Sequence, residues 1–173
     1  MPDVSINIIR VAPELFTPAD AIDINNAIAV LRSTYATVGI TLRRVERFFI
    51  PLASARGRET IDNNGEAEAL TDEWTVNNHN VDVFFVRNYV GTTAGLSPVN
   101  GPCDKNAKGM DGAVVEMSGS LTGLILAHEV GHYLGLSHVT GASSNLMFPT
   151  VPNGGLLTAA QGATMRSHCF IEP

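Results

Sequence analysis

Apolar residues recur along the chain with two different periods, and the switches between them mark its elements. Val4, Ile6 and Ile8 share one face of an imperfectly alternating stretch from Val4 to Val11, which predicts a first strand. Thr17-Pro18-Ala19-Asp20 then supplies a helix start, with Thr as N-cap, Pro at the first helical position and Asp at the third. Ala21, Ile22, Ile24, Ala27, Ile28, Val30, Leu31 and Tyr35 follow at near-helical spacing as far as Val38, where Gly39 is the stop. Ile40 to Ile50 is rich in β-branched and aromatic residues and predicts a second strand, ended by Pro51.

Residues 51–65 are polar and turn-rich and read as a surface loop. Asn63 and Glu66 can cap a second helix running through Ala67, Ala69, Leu70 and Trp74 to Val76. Val81 to Val86 is a nearly continuous apolar run, as expected of a strand covered on both faces. Gly91 to Lys108 is loop-like, and within it Thr93 to Leu96 fits an edge strand and a plain loop about equally. Ala113 to Met117 predicts a last strand, after which Ser118 or Ser120 caps a helix. Thr158 and Gln161 form a capping box that opens a C-terminal helix to Ser167. This order predicts an α/β (α+β) domain with one sheet and helices packed on it, without internal repeats or an interdomain linker.

The helix before the C-terminal segment carries the chemistry. His128 and His132 lie four residues apart, one turn above each other on the same helical face. Two imidazoles so placed can offer lone pairs to one Zn²⁺. Glu129 points about 100° round the helix, beside the metal rather than on it, where a carboxylate can take a proton from zinc-bound water. Gly135 can adopt the left-handed conformation that ends the helix and returns the chain, so that His138 reaches the same ion. Three protein ligands leave the fourth position open, the pattern of a catalytic zinc site rather than a structural one. The bland alternative for His128 and His132 is two surface histidines on an amphipathic helix. Gly135, His138 and Met147 at their spacings argue against it.

The run H-E-x-x-H-x-x-G-x-x-H at 128–138 resembles the zinc signature of the metzincin metallopeptidases, matched at every fixed position. Asn145-Leu146-Met147-Phe148-Pro149 fits the downstream Met-turn, with Met147 as the hydrophobic floor under the metal. The resemblance implies a twisted, mostly parallel five-stranded sheet with two long helices. It also implies a single catalytic domain over 1–173, its upper part spanning about 1–135 and an irregular lower part about 136–173. It implies a zinc-dependent endopeptidase acting on extended protein substrates, with one catalytic Zn²⁺ on His128, His132 and His138 and a zinc-bound water activated by Glu129. Phe148, Pro149, Thr150 and Val151 occupy the stretch that lines the pocket for the residue after the cleaved bond, and an edge strand beside the cleft pairs with substrate. The subfamily is not assignable. Pro149 stands where some branches place a metal-reaching Tyr, Val139 follows the third His, and neither a second His/Asp-rich segment nor a calcium loop is present. A non-catalytic zinc-containing peptide-binding module is the alternative, and Glu129 speaks against it, since pure binding needs no general base.

Composition narrows the partners. Apolar content of 45% and charged content of 16% in 173 residues fit one globular domain. A net charge of −6, with Lys105 and Lys108 the only lysines, argues against nucleic-acid or anionic-membrane partners. The expected partner is a protein or peptide substrate, met by a monomer. Cys103 lies in a loop and Cys169 near the C-terminus, outside any C-x-x-C pair. A disulfide between them is preferred over two unrelated thiols and implies an oxidising compartment. Met1-Pro2-Asp3 lacks the features of a signal peptide. The expected location is therefore secreted or extracytoplasmic as a mature domain, with a leaderless cytoplasmic protein as the alternative. His79 reads as a solvated turn residue, and His168 as a helix-end histidine whose charged form the dipole favours.

Overall fold

A computed structural model describes residues Met1–Pro173. Its elements are β1 (Asp3–Val11), α1 (Pro18–Ala36), β2 (Thr41–Ile50), α2 (Leu52–Ala55), β3 (Thr60–Ile61), α3 (Asn64–Trp74), β4 (Val81–Val86), β5 (Asn88–Tyr89), β6 (Gly95–Leu96), β7 (Ala113–Glu116), α4 (Thr122–Tyr133) and α5 (Ala159–Arg166). Five strands form one sheet in the order β2-β1-β4-β7-β6; β2, β1, β4 and β7 run parallel, and the edge strand β6 is antiparallel to β7. This is the mostly parallel five-stranded sheet that the metzincin resemblance implies.

Side-chain alternation divides the core between the two faces of the sheet. Ile6, Ile8, Val83 and Phe85 join a cluster with Leu31 and Tyr35 of α1 and Leu126 and Val130 of α4. Ile9, Val11, Phe84 and Val86 join a second cluster with Ala67 and Leu70 of α3. Every residue of β4 is buried, as its nearly continuous apolar run leads one to expect of a central parallel strand, and the one polar member, Asp82, is buried with the rest.

Helix α1 begins where its capping box predicts: Thr17 and Asp20 each bond the other's backbone, and Gly39 follows the helix with φ +73°. Helices α1 and α4 approach closely because Gly123 lacks a side chain; a Cβ there would meet Val30 at 2.8 Å. Tyr35 completes the contact by donating to the Ala127 carbonyl at 3.0 Å. The two ends of the chain meet as well. Asp3 N–H donates to the Glu172 carbonyl and Glu172 N–H to that of Asp3, both at 2.9 Å.

Residues 51–65 differ from the expected loop. They contain the single turn α2 and the strand β3, which pairs in parallel with β5 as a separate two-stranded sheet. Ala55 and Ile61, two of the apolar residues of that polar stretch, are fully buried and hold it down, whereas Leu52 is exposed. Ser118 and Ser120 do not cap α4 directly. A 3-10 turn over Gly119–Leu121 precedes the helix, and the Thr122 hydroxyl accepts the Ser118 N–H at 2.9 Å. Thr93–Leu96 resolves into the short edge strand β6.

Candidate active site

Helix α4 places His128, Glu129 and His132 in its C-terminal half, all buried, and Gly135 then turns the chain with φ +99°. His138 returns on the following segment and is exposed. Each buried imidazole is oriented by a main-chain carbonyl. His128 Nδ1 donates to Leu146 at 2.7 Å and His132 Nδ1 to Leu136 at 2.6 Å. Both hydrogens therefore sit on Nδ1, and both Nε2 lone pairs are left free. Burial pushes the pKa of His128 down and that of His132 down to about 4, so both rings are neutral near pH 7.

The His138 Nε2 lies 3.2 Å from that of His128 and 3.1 Å from that of His132. One ring cannot satisfy two converging lone pairs with a single hydrogen. Two nitrogens bound to Zn²⁺ at about 2.0–2.1 Å in a tetrahedron lie roughly 3.3 Å apart, close to the spacing of these atoms. The donor set therefore fits a metal ion: three converging imidazoles, two of them fixed by carbonyls of the chain.

Glu129 carries the other half of the chemistry. Burial alone pushes its carboxyl up to about 8. Gly95 of β6 is pressed onto it, for a Cβ at that position would lie 2.7–2.9 Å from Glu129 Cγ, Cδ and Oε1. Met147 is fully buried beneath α4, where a Cβ on Gly131 would come within 2.9 Å of its sulfur. An open cleft of about 630 Å³ runs past the triad. Its lining includes Thr93, Gly95 and Leu96 from the edge-strand segment, Pro149, Thr150 and Val151 from the segment after Met147, and Ile125 and Val99. Phe148 is not among the lining residues; its N–H bonds back to the Asn145 carbonyl within the turn.

These features can bind a divalent ion, hold a base beside it and admit an extended chain. The comparisons agree with the chemistry. The profile of the reprolysin-like metallopeptidases, family M12B, matches residues 22–139. The chain belongs to that family. The match spans the whole motif from His128 to His138 and stops before Met147. The family is one of metallopeptidases, a description that implies zinc, and His128, His132 and His138 are a donor group that could hold such an ion. No protein of curated function matches it. Among solved structures, metalloproteinase-II from Bacteroides fragilis is similar over 94% of this chain and 52% of its own length, at 20% identity and a TM-score of 0.64. A chaperone–substrate complex is similar over 97% of this chain and 34% of the other, at 12% identity and a TM-score of 0.59. Both share the fold, and the reprolysin-like chain spans about half the length of the first and a third of the second.

Cys103 and Cys169 are joined in a disulfide, with Cα atoms 6.0 Å apart. The bridge fits an oxidising environment, and no helix is long and apolar enough to cross a membrane. The loop it anchors bonds the end of α4, where Asn100 and Gly101 N–H donate to the His132 and Tyr133 carbonyls. His168 differs from the expected helix-end cation. It is buried, its Nε2 donates to the Gly101 carbonyl at 3.0 Å, and its Nδ1 accepts the Phe170 N–H at 3.2 Å. Burial lowers its pKa, and desolvation outweighs the dipole. His79 is half exposed, edge-on to the Phe170 ring at 4.7 Å rather than simply solvated. The sequence did not point to Gly95, whose importance lies in a contact between distant elements. Gly131 was visible as a helix-interior glycine, an unfavourable choice unless something packs against it.

Proposed function

We propose that the chain is a zinc endopeptidase that cleaves extended protein substrates, with His128, His132 and His138 as the zinc ligands and Glu129 as general base. The observation that carries this reading is the convergence of three Nε2 atoms next to a buried carboxylate in an open cleft. Zinc held there would supply Lewis acidity, lowering the pKa of a water towards about 7 and polarising the scissile carbonyl. Glu129 ionises more readily with a cation beside it than its burial alone allows. Its carboxylate takes a proton from the attacking water and hands it to the leaving amine, so no covalent intermediate is needed. Met147 packs as the floor beneath α4.

The outer edge of β6 receives the substrate as an added strand, its main chain bonding that of Gly95 and Leu96. Pro149, Thr150 and Val151 form the wall met by the residue after the cleaved bond and favour an apolar side chain there. Residues 1–173 act as one catalytic domain and as a monomer, with the cleft between a part ending near residue 135 and a lower part from 136 on. The Cys103–Cys169 bridge supports a secreted or extracytoplasmic setting.

The deciding experiment exposes a diverse peptide mixture to wild type and Glu129→Ala, each first checked for one bound zinc. Cleavage by the wild type alone, abolished by a chelator, is the expected result. Zinc binding by both without cleavage by either would overturn the catalytic reading in favour of a peptide-binding module.

A further inference from the structure

The two buried imidazoles are oriented by carbonyls of different standing. His132 donates to Leu136, four residues on, in the turn that ends its own helix. His128 donates to Leu146, eighteen residues on, in a segment between α4 and α5 without a helix or strand. A carbonyl in such a segment orients a ring only if its own peptide is held.

The Leu146 N–H donates to the Leu156 carbonyl at 2.7 Å, and Asn153 Nδ2 donates to the Leu146 carbonyl itself at 3.0 Å; a side-chain pair adds the tie between this segment and α5. Asn145 Nδ2 donates to Gln161 Oε1 at 2.9 Å, and Gln161 Nε2 donates to Asn145 Oδ1 at 3.0 Å, closing a ring of two amide bonds. Asn145 Oδ1 also accepts the Met147 N–H at 2.9 Å, so the side chain spans Leu146 from one neighbour to the other. Asn145 is buried, and Gln161 is the N3 residue of the capping box of α5. Helix α5 is itself fixed to the body of the protein: Met165 lies in the main core, and a Cβ on Gly162 would meet Val38 at 2.6 Å. A capping box needs only an acceptor at N3, which Glu supplies as well as Gln. The extra donor of Gln161 is used on Asn145.

We propose that Asn145 and Gln161 are positioning residues: their reciprocal amide pair locks the Leu146 segment onto α5, completing the hold that Asn153 and Leu156 begin on its peptide, so that α5 tunes the orientation of the His128 ring and the metal affinity of the triad. The inference rests on the triad being the metal site. Removing an outer partner of a metal-binding His typically weakens affinity by about 10–100-fold.

The test is Zn²⁺ affinity by chelator competition and the Co²⁺ absorption spectrum, both read beside the melting temperature of the metal-free protein. Gln161→Glu keeps the capping acceptor and loses only the donor towards Asn145. It is expected to bind Zn²⁺ at least tenfold more weakly and to alter the Co²⁺ spectrum. Thr158→Ala breaks the capping box but leaves the pair, and is expected to lower the melting temperature with affinity unchanged within twofold. Asn145→Asp keeps the acceptor for Met147 and loses the other donor, and should repeat the Gln161→Glu result, including where that variant folds poorly. Wild-type affinity in Gln161→Glu and Asn145→Asp, or affinity that merely follows melting temperature across the three variants, overturns the proposal. If the wild type itself fails to bind zinc, the peptidase reading falls first, which separates the two failures.

Discussion

At Gly95 the space for a side chain is already taken by the Glu129 side chain, whose Cγ is only 2.7 Å and whose carboxylate Oε1 is 2.8 Å from where a Cβ would stand. Gly95→Ala should push Glu129 out of line while leaving the three imidazoles untouched. The expected outcome is a fall in kcat on the order of 10²-fold, the scale of an ångström misplacement, with zinc content by metal analysis unchanged. Glu129 also makes the metal-free protein sensitive to pH. Its folded pKa is raised by burial from 4.5 to about 8, so the stabilisation it contributes is complete below 4.5 and is lost as pH rises towards 8. His128 and His132 work in the opposite sense: their lowered values cost stability as pH falls below 6.5. The difference in melting temperature between chelated wild type and chelated Glu129→Gln isolates the carboxyl. It should grow between pH 5 and 8, and a flat difference would contradict the burial argument.

Among the elements, the segment most dependent on a covalent tie is the loop from Ser97 to Gly112, which bonds the end of α4 and is pinned by Cys103–Cys169 across a sequence separation of 66. Closing a chain loop of that size is worth about 4 kcal/mol in the chain-entropy picture. Replacing both cysteines by Ser should lower stability in urea by roughly 2–4 kcal/mol. Elements with dense local signals were legible in the sequence. Helix α1 carried its cap, its Pro and its terminal Gly, and β4 carried six buried residues in a row. Strands β3 and β5 are two residues each, too short to show a period. The metal motif was legible because a helix converts a spacing of four into a shared face. Asn145 and Gln161 were not, as a pair, because they lie 16 positions apart across mostly irregular chain and only tertiary structure joins their amides. Phe148 was expected in the cleft wall with Pro149, Thr150 and Val151 because the metzincin resemblance implies it for that stretch, but it is not among the lining residues, and its N–H bonds back to the Asn145 carbonyl.

In the molecule as a whole, one charged pair lies deep at the end of the sheet. Lys105 Nζ meets Asp82 Oδ2 at 2.7 Å with both side chains almost fully enclosed, and Asn7, Thr75 and the Val76 N–H also donate to that carboxylate. Lys105→Met would leave Asp82 uncompensated and should cost about 3–5 kcal/mol, measurable by chemical denaturation. Adding Asp82→Asn should restore part of that loss, since an amide carries no buried charge. The antiparallel bridge between Asp3 and Glu172 has a reach of a different kind. Because the first and last strand-like segments are hydrogen-bonded side by side, the fold is closed on itself: a short linker could join them and new ends could be opened at an exposed loop tip. The sheet, the cleft and the three imidazoles would keep their neighbours in such a permuted chain. Spatial adjacency, more than the order in which the segments follow one another, is then what specifies the architecture.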